Sequence, residues 1–443
     1  MTTLTLAIVI VFVVGYCCIA TESFTKVDKA PVALLMCVVC WTLYMLDPAA
    51  YLASGTEDLS SAVAEHIQMH LGDAASTLFF LMGAMTIVEI VDSNGGFNFV
   101  RDVMKTSNKR KLLWRIAFMT FFLSAILDNL TTSIVMIMVL RKLIQAREDR
   151  LIYASIVIIA ANAGGAFSPI GDVTTIMLWI KGMITTQGVI TEIFIPSLLS
   201  LVIPTLILQY SLKGKLDKEQ NVVEGPILPF TKAKRRAIFL LGVGGLIFVP
   251  VFRALTGLPP FMGILLVLAV LWATTEVFHR QTDCHDTMAK RVSELLSRID
   301  MTTILFFLGI LMAVSCLAEV GVLTALGQTL NDVSGGNHYL VTGVIGILSS
   351  IVDNVPLVAG CMGMYPIAEV GDMAVDGVFW QLLAFCAGTG GSILIIGSAA
   401  GVVVMGLEKI TFGWYMRKIS WVVLVGYFAS IFAYWLIRTF VFA

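Results

Sequence analysis

Charge is what this sequence has least of. Only 13% of its 443 residues are Asp, Glu, Lys or Arg, about half the share carried by soluble globular chains. The net charge is −1, so no basic surface invites a nucleic-acid partner. No GxxxxGK[ST] phosphate loop occurs, which removes that route to nucleotide binding, and nothing calls for a cofactor. None of the five histidines lies within an apolar span. A disulfide framework is absent too: seven of the eight cysteines (Cys17, Cys18, Cys37, Cys40, Cys316, Cys361, Cys386) lie in apolar segments and Cys284 in a polar loop. Cys37 and Cys40 form a CxxC in mid-helix without a redox fold, which reads as packing. The apolar run 4–20 lacks the basic region that precedes a signal sequence, so it reads as a first membrane helix with its N-terminus outside.

What the sequence has is apolar blocks. Hydrophobic residues make up 58% of it and mean hydropathy is +0.90. Several blocks exceed the ~20 residues that cross a bilayer, whereas a transmembrane barrel would show ~10-residue alternating segments. The fold class expected is an all-α polytopic membrane protein. Spans are expected at 4–20, 31–46, 74–92, 151–180, 191–212, 236–252, 260–278, 301–320, 378–407 and 419–438. Two further stretches, 112–140 and 339–367, are each 29 residues long. That is too long for one straight span and too short for two, so each is expected to be a re-entrant hairpin.

The distribution of Lys and Arg fits this layout. None occurs from Ala30 to Val100, whereas Arg101, Lys105, Lys109, Arg110 and Lys111 mark the next loop as inside. Arg141, Lys142, Arg147 and Arg150 bring the first hairpin back to the same side. Loops 213–236 and 279–300 are basic, while 321–338 and 368–377 contain no Lys or Arg, so the second hairpin enters from outside. The result is ten spans and two hairpins from opposite faces, with both termini outside.

The sequence also repeats itself. FFLMGAMTIVEIVD (79–92) resembles FFLGILMAVSCLAE (306–319), LDNLTTSIVM (127–136) resembles VDNVPLVAGCM (352–362), and NAGGAFSPIGDVTTIM (162–177) resembles GTGGSILIIGSAAGVVVM (388–405), all at offsets of 225–227. An odd number of crossings separates the copies, so the second is inverted. Inverted repeats with broken helices and a midplane site characterise secondary transporters. The organisation expected is an N-terminal region 1–73, repeat one at 74–212, a cytoplasmic linker at 213–235, connecting helices at 236–300 and repeat two at 301–443. Hairpins 112–140 and 339–367 and broken helices 151–180 and 378–407 form the repeat cores.

The polar residues gather at these breaks. Asp128, Asn129, Thr131 and Thr132 sit at one hairpin tip; Ser349, Asp353 and Asn354 sit at the other. Asn162, Asp172, Thr174 and Thr175 lie in the first broken helix, and Ser392 and Ser398 in the second. Glycine and proline free backbone carbonyls there. Carbonyls, hydroxyls and carboxylates are hard ligands suited to Na⁺ or Li⁺, with Asp128, Asn129 and Asp172 as the sodium ligands expected. Burial in the bilayer disfavours a charged carboxylate and a cation favours it, so proton and cation compete for one group. Each residue also has a structural reading. Asp128, Asp353 and Asp172 could cap helices. Thr174 and Thr175 could bond back to their own helix. Asn162, Ser349, Ser392 and Ser398 could join helices. Glu89, Asp92 and Glu319, near span ends, read as interfacial. His66 and His70, four apart in an amphipathic stretch, read as a solvated outer helix face rather than a metal site.

LDNLTT with NAGGAFSPIGDVTT, and the chain from FTKVDKAPVALL (24–35) through the last broken helix, resemble the NhaD-type sodium/proton antiporters of the ion-transporter superfamily, which also holds arsenite pumps and dicarboxylate symporters. The resemblance implies exchange of cytoplasmic Na⁺ or Li⁺ for outside H⁺ by alternating access, in a bacterial inner membrane, without enzymatic activity. By it, Asp128, Asn129, Asn162, Asp172, Thr174, Thr175, Ser349 and Asn354 match positions the family uses. Related carriers are often homodimers, although no interface pattern is visible here. Related dicarboxylate carriers have Ser-Asn-Thr at the hairpin tips where this chain has Asp-Asn. The added negative charge argues against a dicarboxylate. An arsenite or other oxyanion exporter is the alternative substrate reading; a channel or an intramembrane aspartyl protease fits inverted broken repeats less well.

Overall fold

The structure, a computed structural model, describes residues 2–21, 27–52, 58–96, 104, 106, 108–212, 214, 230–280, 292–351 and 353–441. Arg101, Lys105, Cys284, Lys290 and Arg291, residues 24–26 of the FTKVDKAPVALL stretch and most of the basic loop 213–236 lie outside these.

Among the described residues, seventeen helices carry the fold. They are α1 (Thr3–Ala20), α2 (Lys29–Leu46), α3 (Leu59–Ser93), α4 (Lys109–Leu127), α5 (Asn129–Leu143), α6 (Arg147–Ala166), α7 (Val173–Ile180), α8 (Thr186–Leu208), α9 (Lys232–Thr256), α10 (Pro260–Arg280), α11 (Met301–Glu319), α12 (Val322–Ser334), α13 (His338–Leu348), α14 (Asn354–Met364), α15 (Val378–Gly390), α16 (Ala399–Glu408) and α17 (Trp421–Phe440). Short helical turns lie at 48–50, 209–211, 292–298 and 412–420. No strand occurs among the described residues, only an isolated bridge between Ala368 and Ala374. Among the described residues, seven helices are long and apolar enough to cross a membrane. Their outward faces carry exposed large apolar side chains such as Leu35, Val38, Leu240, Ile247, Phe428 and Phe432. In water such faces would be a liability; against lipid they are the natural surface. The chain is thus a helical, polytopic membrane protein.

Local chemistry sets the breaks. The span expected at 151–180 ends as α6 at Ala166 and resumes as α7 at Val173; that at 378–407 ends as α15 at Gly390 and resumes as α16 at Ala399. The intervening glycines let backbones touch. A side chain on Gly164 would strike the Phe121 carbonyl, and one on Gly390 the Gly346 carbonyl. One on Gly171 would meet the Ser124 carbonyl, and one on Gly397 those of Ser349 and Ser350. Ser124 Oγ donates to the Ala161 carbonyl at 2.6 Å and Ser349 Oγ to that of Ala387 at 2.8 Å. Each contact in the first half therefore recurs 225 or 226 residues later. The larger packing follows the same rule: α1 packs on α2 and α2 on α11, as α9 packs on α10 and α10 on α3.

One sequence expectation changes. Residues 57–72 were expected as a separate amphipathic segment on the outer surface, with a span at 74–92. α3 instead runs unbroken through 35 residues, roughly 52 Å. Nothing stops it, since Gly72 costs a helix only about 1 kcal/mol. His66 and His70 are correspondingly not a solvated face: His66 Nδ1 lies 3.0 Å and His70 Nε2 2.8 Å from the two oxygens of Glu319, tying α3 to α11.

Candidate functional site

The two broken helices pass each other antiparallel, and contacts at three levels fix this. At one end the Asp376 N–H, just before α15, donates to the Met183 carbonyl at 3.0 Å, and Asp376 Oδ1 accepts from Thr185 N at 2.7 Å, just beyond α7. In the middle, Gly388 faces Ala166 and Asp172. At the other end Glu408, the last residue of α16, meets Arg150 in the first turn of α6. The two breaks therefore face each other. The turns at Asp128 and Asp353 bring Asn129 and Asn354 to the same place.

Asn162 is the hub. Its Nδ2 donates to Ser392 Oγ at 2.8 Å and to Ser398 Oγ at 2.9 Å, and its Oδ1 accepts from Asn129 Nδ2 at 3.1 Å. Asn129 Nδ2 also donates to Asp172 Oδ2 at 3.0 Å. Asp172 Oδ1 accepts from the Thr174 N–H and hydroxyl, both at 3.0 Å, and lies 3.5 Å from Asn354 Nδ2. These groups are buried. Asp172 thus caps α7 while holding groups from α5 and α14, and capping and site roles coincide in one carboxylate. Asp172 also lies close enough to Asp128 and Asp353 for their charges to repel its own.

Asp128 sits at φ 126°, a left-handed conformation that side chains rarely adopt. Its Oδ1 accepts from Thr131 N at 2.7 Å and its Oδ2 from Thr131 Oγ1 at 2.8 Å, which caps α5. Backbone strain of this kind gathers at functional sites. Asp353 caps α14 through Val355 N at 3.2 Å, and its Oδ2 is 2.7 Å from the Lys29 ammonium. The hydroxyls of Thr132 and Thr175 are buried without a hydrogen-bond partner, unlike the back-bonding first considered for Thr175. Ser349 is not at the network: it bonds the Ala387 carbonyl. The structure thus joins Asn129, Asn162, Asp172, Thr174, Asn354, Ser392 and Ser398 in one hydrogen-bonded network, with Asp128 and Thr131 at its edge.

Two features flank the network. Toward the Lys181 end of α7 a cavity of about 250 Å³ opens between α3, α7, α11 and α14, lined by His70, Asp73, Thr77, Met177, Lys181 and Ala359 among others. Toward the Arg150 end, Glu408 is paired twice: Arg141 Nε donates to Oε1 at 2.7 Å and Arg150 Nε to Oε2 at 2.6 Å. Arg141 also donates to the Leu407 carbonyl. Only 1% of the Glu408 side chain is exposed. Sequence reasoning took these arginines as topology signals and passed over Glu408. The signal was there: a carboxylate ending an apolar run, opposite basic residues in the other repeat.

A family profile described as citrate transporter matches residues 16–384. "Sodium/proton antiporter 1" of Arabidopsis thaliana is 46% identical over 97% of this chain and 72% of its own length. "Sodium/proton antiporter 2" of the same plant is 43% identical over 97% of this chain and 99% of its own. "Na(+)/H(+) antiporter NhaD" of Vibrio cholerae is 30% identical over 96% and 90%. The chain belongs to the NhaD-type sodium/proton antiporter family. Its members are transporters, so this chain is a carrier and not an enzyme. Four of the network residues, Asn129, Asn162, Asp172 and Thr174, fall on the segments DNLTT and NAGGAFSPIGDVTT that carry the resemblance.

Proposed function

We propose that this NhaD-type chain exports Na⁺, and Li⁺, in exchange for H⁺, with both substrates competing for Asp172 and Asp128. The observation that carries the reading is the buried network around Asp172. It offers carboxylate, amide and hydroxyl oxygens to a small hard cation. The negative charge of Asp172, with that of Asp128 near it, favours a cation over an anion. That argues against citrate, despite the profile's description, and against an oxyanion. A carboxylate that must hold either H⁺ or Na⁺ couples their movements, provided the empty charged site does not change faces. Alkaline conditions favour the cation by withdrawing its competitor.

Alternating access has a physical basis in the two flanks. We read 112–140 and 339–367 as re-entrant hairpins of inverted repeats; the contacts that recur at 225 or 226 residues support this. The positive-inside pattern sets the cavity beside Lys181 outside and the Glu408 cluster inside. The conformation is then outward-facing, with the inner side closed by Arg141, Arg150 and Glu408. The setting is a membrane holding a proton gradient, the bacterial inner membrane being our proposal. The test uses everted vesicles from a host without its own sodium antiporters, acidified by respiration. NaCl and LiCl should collapse the pH gradient with the natural chain and not with Asp128→Asn. No response to either salt between neutral and alkaline pH would end the antiporter reading.

A further inference from the structure

We propose that the Lys29 ammonium is a built-in counter-cation at the second turn, holding there the place that a transported cation takes at the first, so that the carrier has one sodium site rather than two. This rests on the antiporter reading above and deepens it.

The two turns are equivalent positions: Asp128 and Asp353 lie 225 residues apart, each precedes an Asn, and each caps the helix that follows through Oδ1. They differ at Oδ2. In the first turn that oxygen takes the Thr131 hydroxyl at 2.8 Å, a neutral donor that leaves the negative charge in place. In the second, the residue matching Thr131 is Pro356, which has neither a hydroxyl nor an N–H. The Asp353 Oδ2 instead takes Lys29 Nζ at 2.7 Å, a charge that cancels its own.

Lys29 reaches this oxygen from another part of the fold. It is the first residue of α2, and its ammonium lies 4.2 Å from the centre of the Phe306 ring on α11. A cation at a helix N-terminus opposes the helix dipole, so its place there needs another reason than helix stability. The partner 324 residues away supplies one. The remaining asymmetry runs the same way, since Asp172 in the first broken helix is matched by Ser398 in the second. Lys29 pairs with Asp353, one of the two carboxylates whose charges bear on Asp172, and leaves Asp128 and Asp172 for the substrates. A lone ammonium on a topology-marking loop would need none of this geometry.

The experiment measures equilibrium ²²Na⁺ binding to the purified full chain in lipid nanodiscs at alkaline pH. Four forms are compared: the natural chain, Asp172→Asn, Lys29→Gln and the double variant Lys29→Gln/Asp353→Asn. Removing the ammonium leaves a carboxylate without its partner, which then takes a cation from solution. Sodium bound per chain should roughly double in Lys29→Gln. It should return to the natural value in the double variant. If the natural chain binds no sodium that Asp172→Asn abolishes, the antiporter site itself is wrong. If that site stands but Lys29→Gln binds no more than the natural chain, Lys29 holds no cation position. Where Lys29→Gln does not fold, the double variant decides alone: sodium binding and transport persist under this proposal, and their loss would make Asp353 a sodium ligand and overturn it.

Discussion

Replacing Glu408 by Gln should move the carrier toward its other face. The Glu408 carboxylate is 1% exposed and accepts from Arg141 at 2.7 Å and Arg150 at 2.6 Å. Those two bonds join α5 and α6 of the first half to α16 of the second. Breaking a buried pair costs about 3–5 kcal/mol. Arg141 is 45% and Arg150 21% exposed, so water screens part of this and roughly 2–3 kcal/mol is the reasonable figure. Under the proposed alternating access, that energy exists only while the inner side is closed. Its loss shifts the ratio of closed to open by about 30-fold or more, at 1.4 kcal/mol per tenfold. The assay places single cysteines in a chain whose native cysteines are replaced and whose transport is intact. One goes at Val404, buried on α16, and one at Thr77 in the cavity wall. In Glu408→Gln an impermeant maleimide should label position 404 faster from inside and position 77 more slowly from outside. Unchanged rates at both positions would refute the idea that this cluster holds the inner side shut.

Other outcomes follow from the same contacts. Gly164→Ala and Gly390→Ala each push a methyl into a neighbouring backbone carbonyl that cannot yield; each should lower stability by about 1–3 kcal/mol, read as thermal unfolding in detergent. Asn162→Ala removes the amide that joins Asn129 to Ser392 and Ser398; the unsatisfied partners cost about 1–3 kcal/mol, which should appear as a KM for Na⁺ raised roughly tenfold or more in vesicle assays. Glu319→Gln weakens the contact of His66 and His70 to α11; stability should fall by about 1 kcal/mol while the KM for Na⁺ stays within twofold.

Much of this was legible in the sequence because a membrane leaves the chain few choices. Uncharged runs must be helices, and polar residues inside them need a reason. The breaks at Ala166–Val173 and Gly390–Ala399 could be read from glycine and proline, and the backbone contacts in the two halves follow the repeat offset. Asn129, Asn162 and Asp172 were legible as one group because their segments repeat. What stayed hidden was pairing across distance. Lys29 and Asp353 are 324 residues apart, and Arg141 and Glu408 267. A basic residue near a span end carries the same local signal whether it marks topology or neutralises a buried acid. The fate of His66 and His70 was hidden for a like reason, since only α11, bringing Glu319, distinguishes a wet helix face from a packed one.

The most direct test of the central claim uses the purified chain in liposomes, with no other transporter present. The lumen is made acidic relative to an alkaline bath holding ²²Na⁺. Proton efflux should drive ²²Na⁺ inward above its equilibrium level in the natural chain, unlabelled Li⁺ should compete, and Asp172→Asn should show no gradient-driven uptake. Uptake by Asp172→Asn equal to that of the natural chain would contradict the claim that this carboxylate trades a proton for a cation.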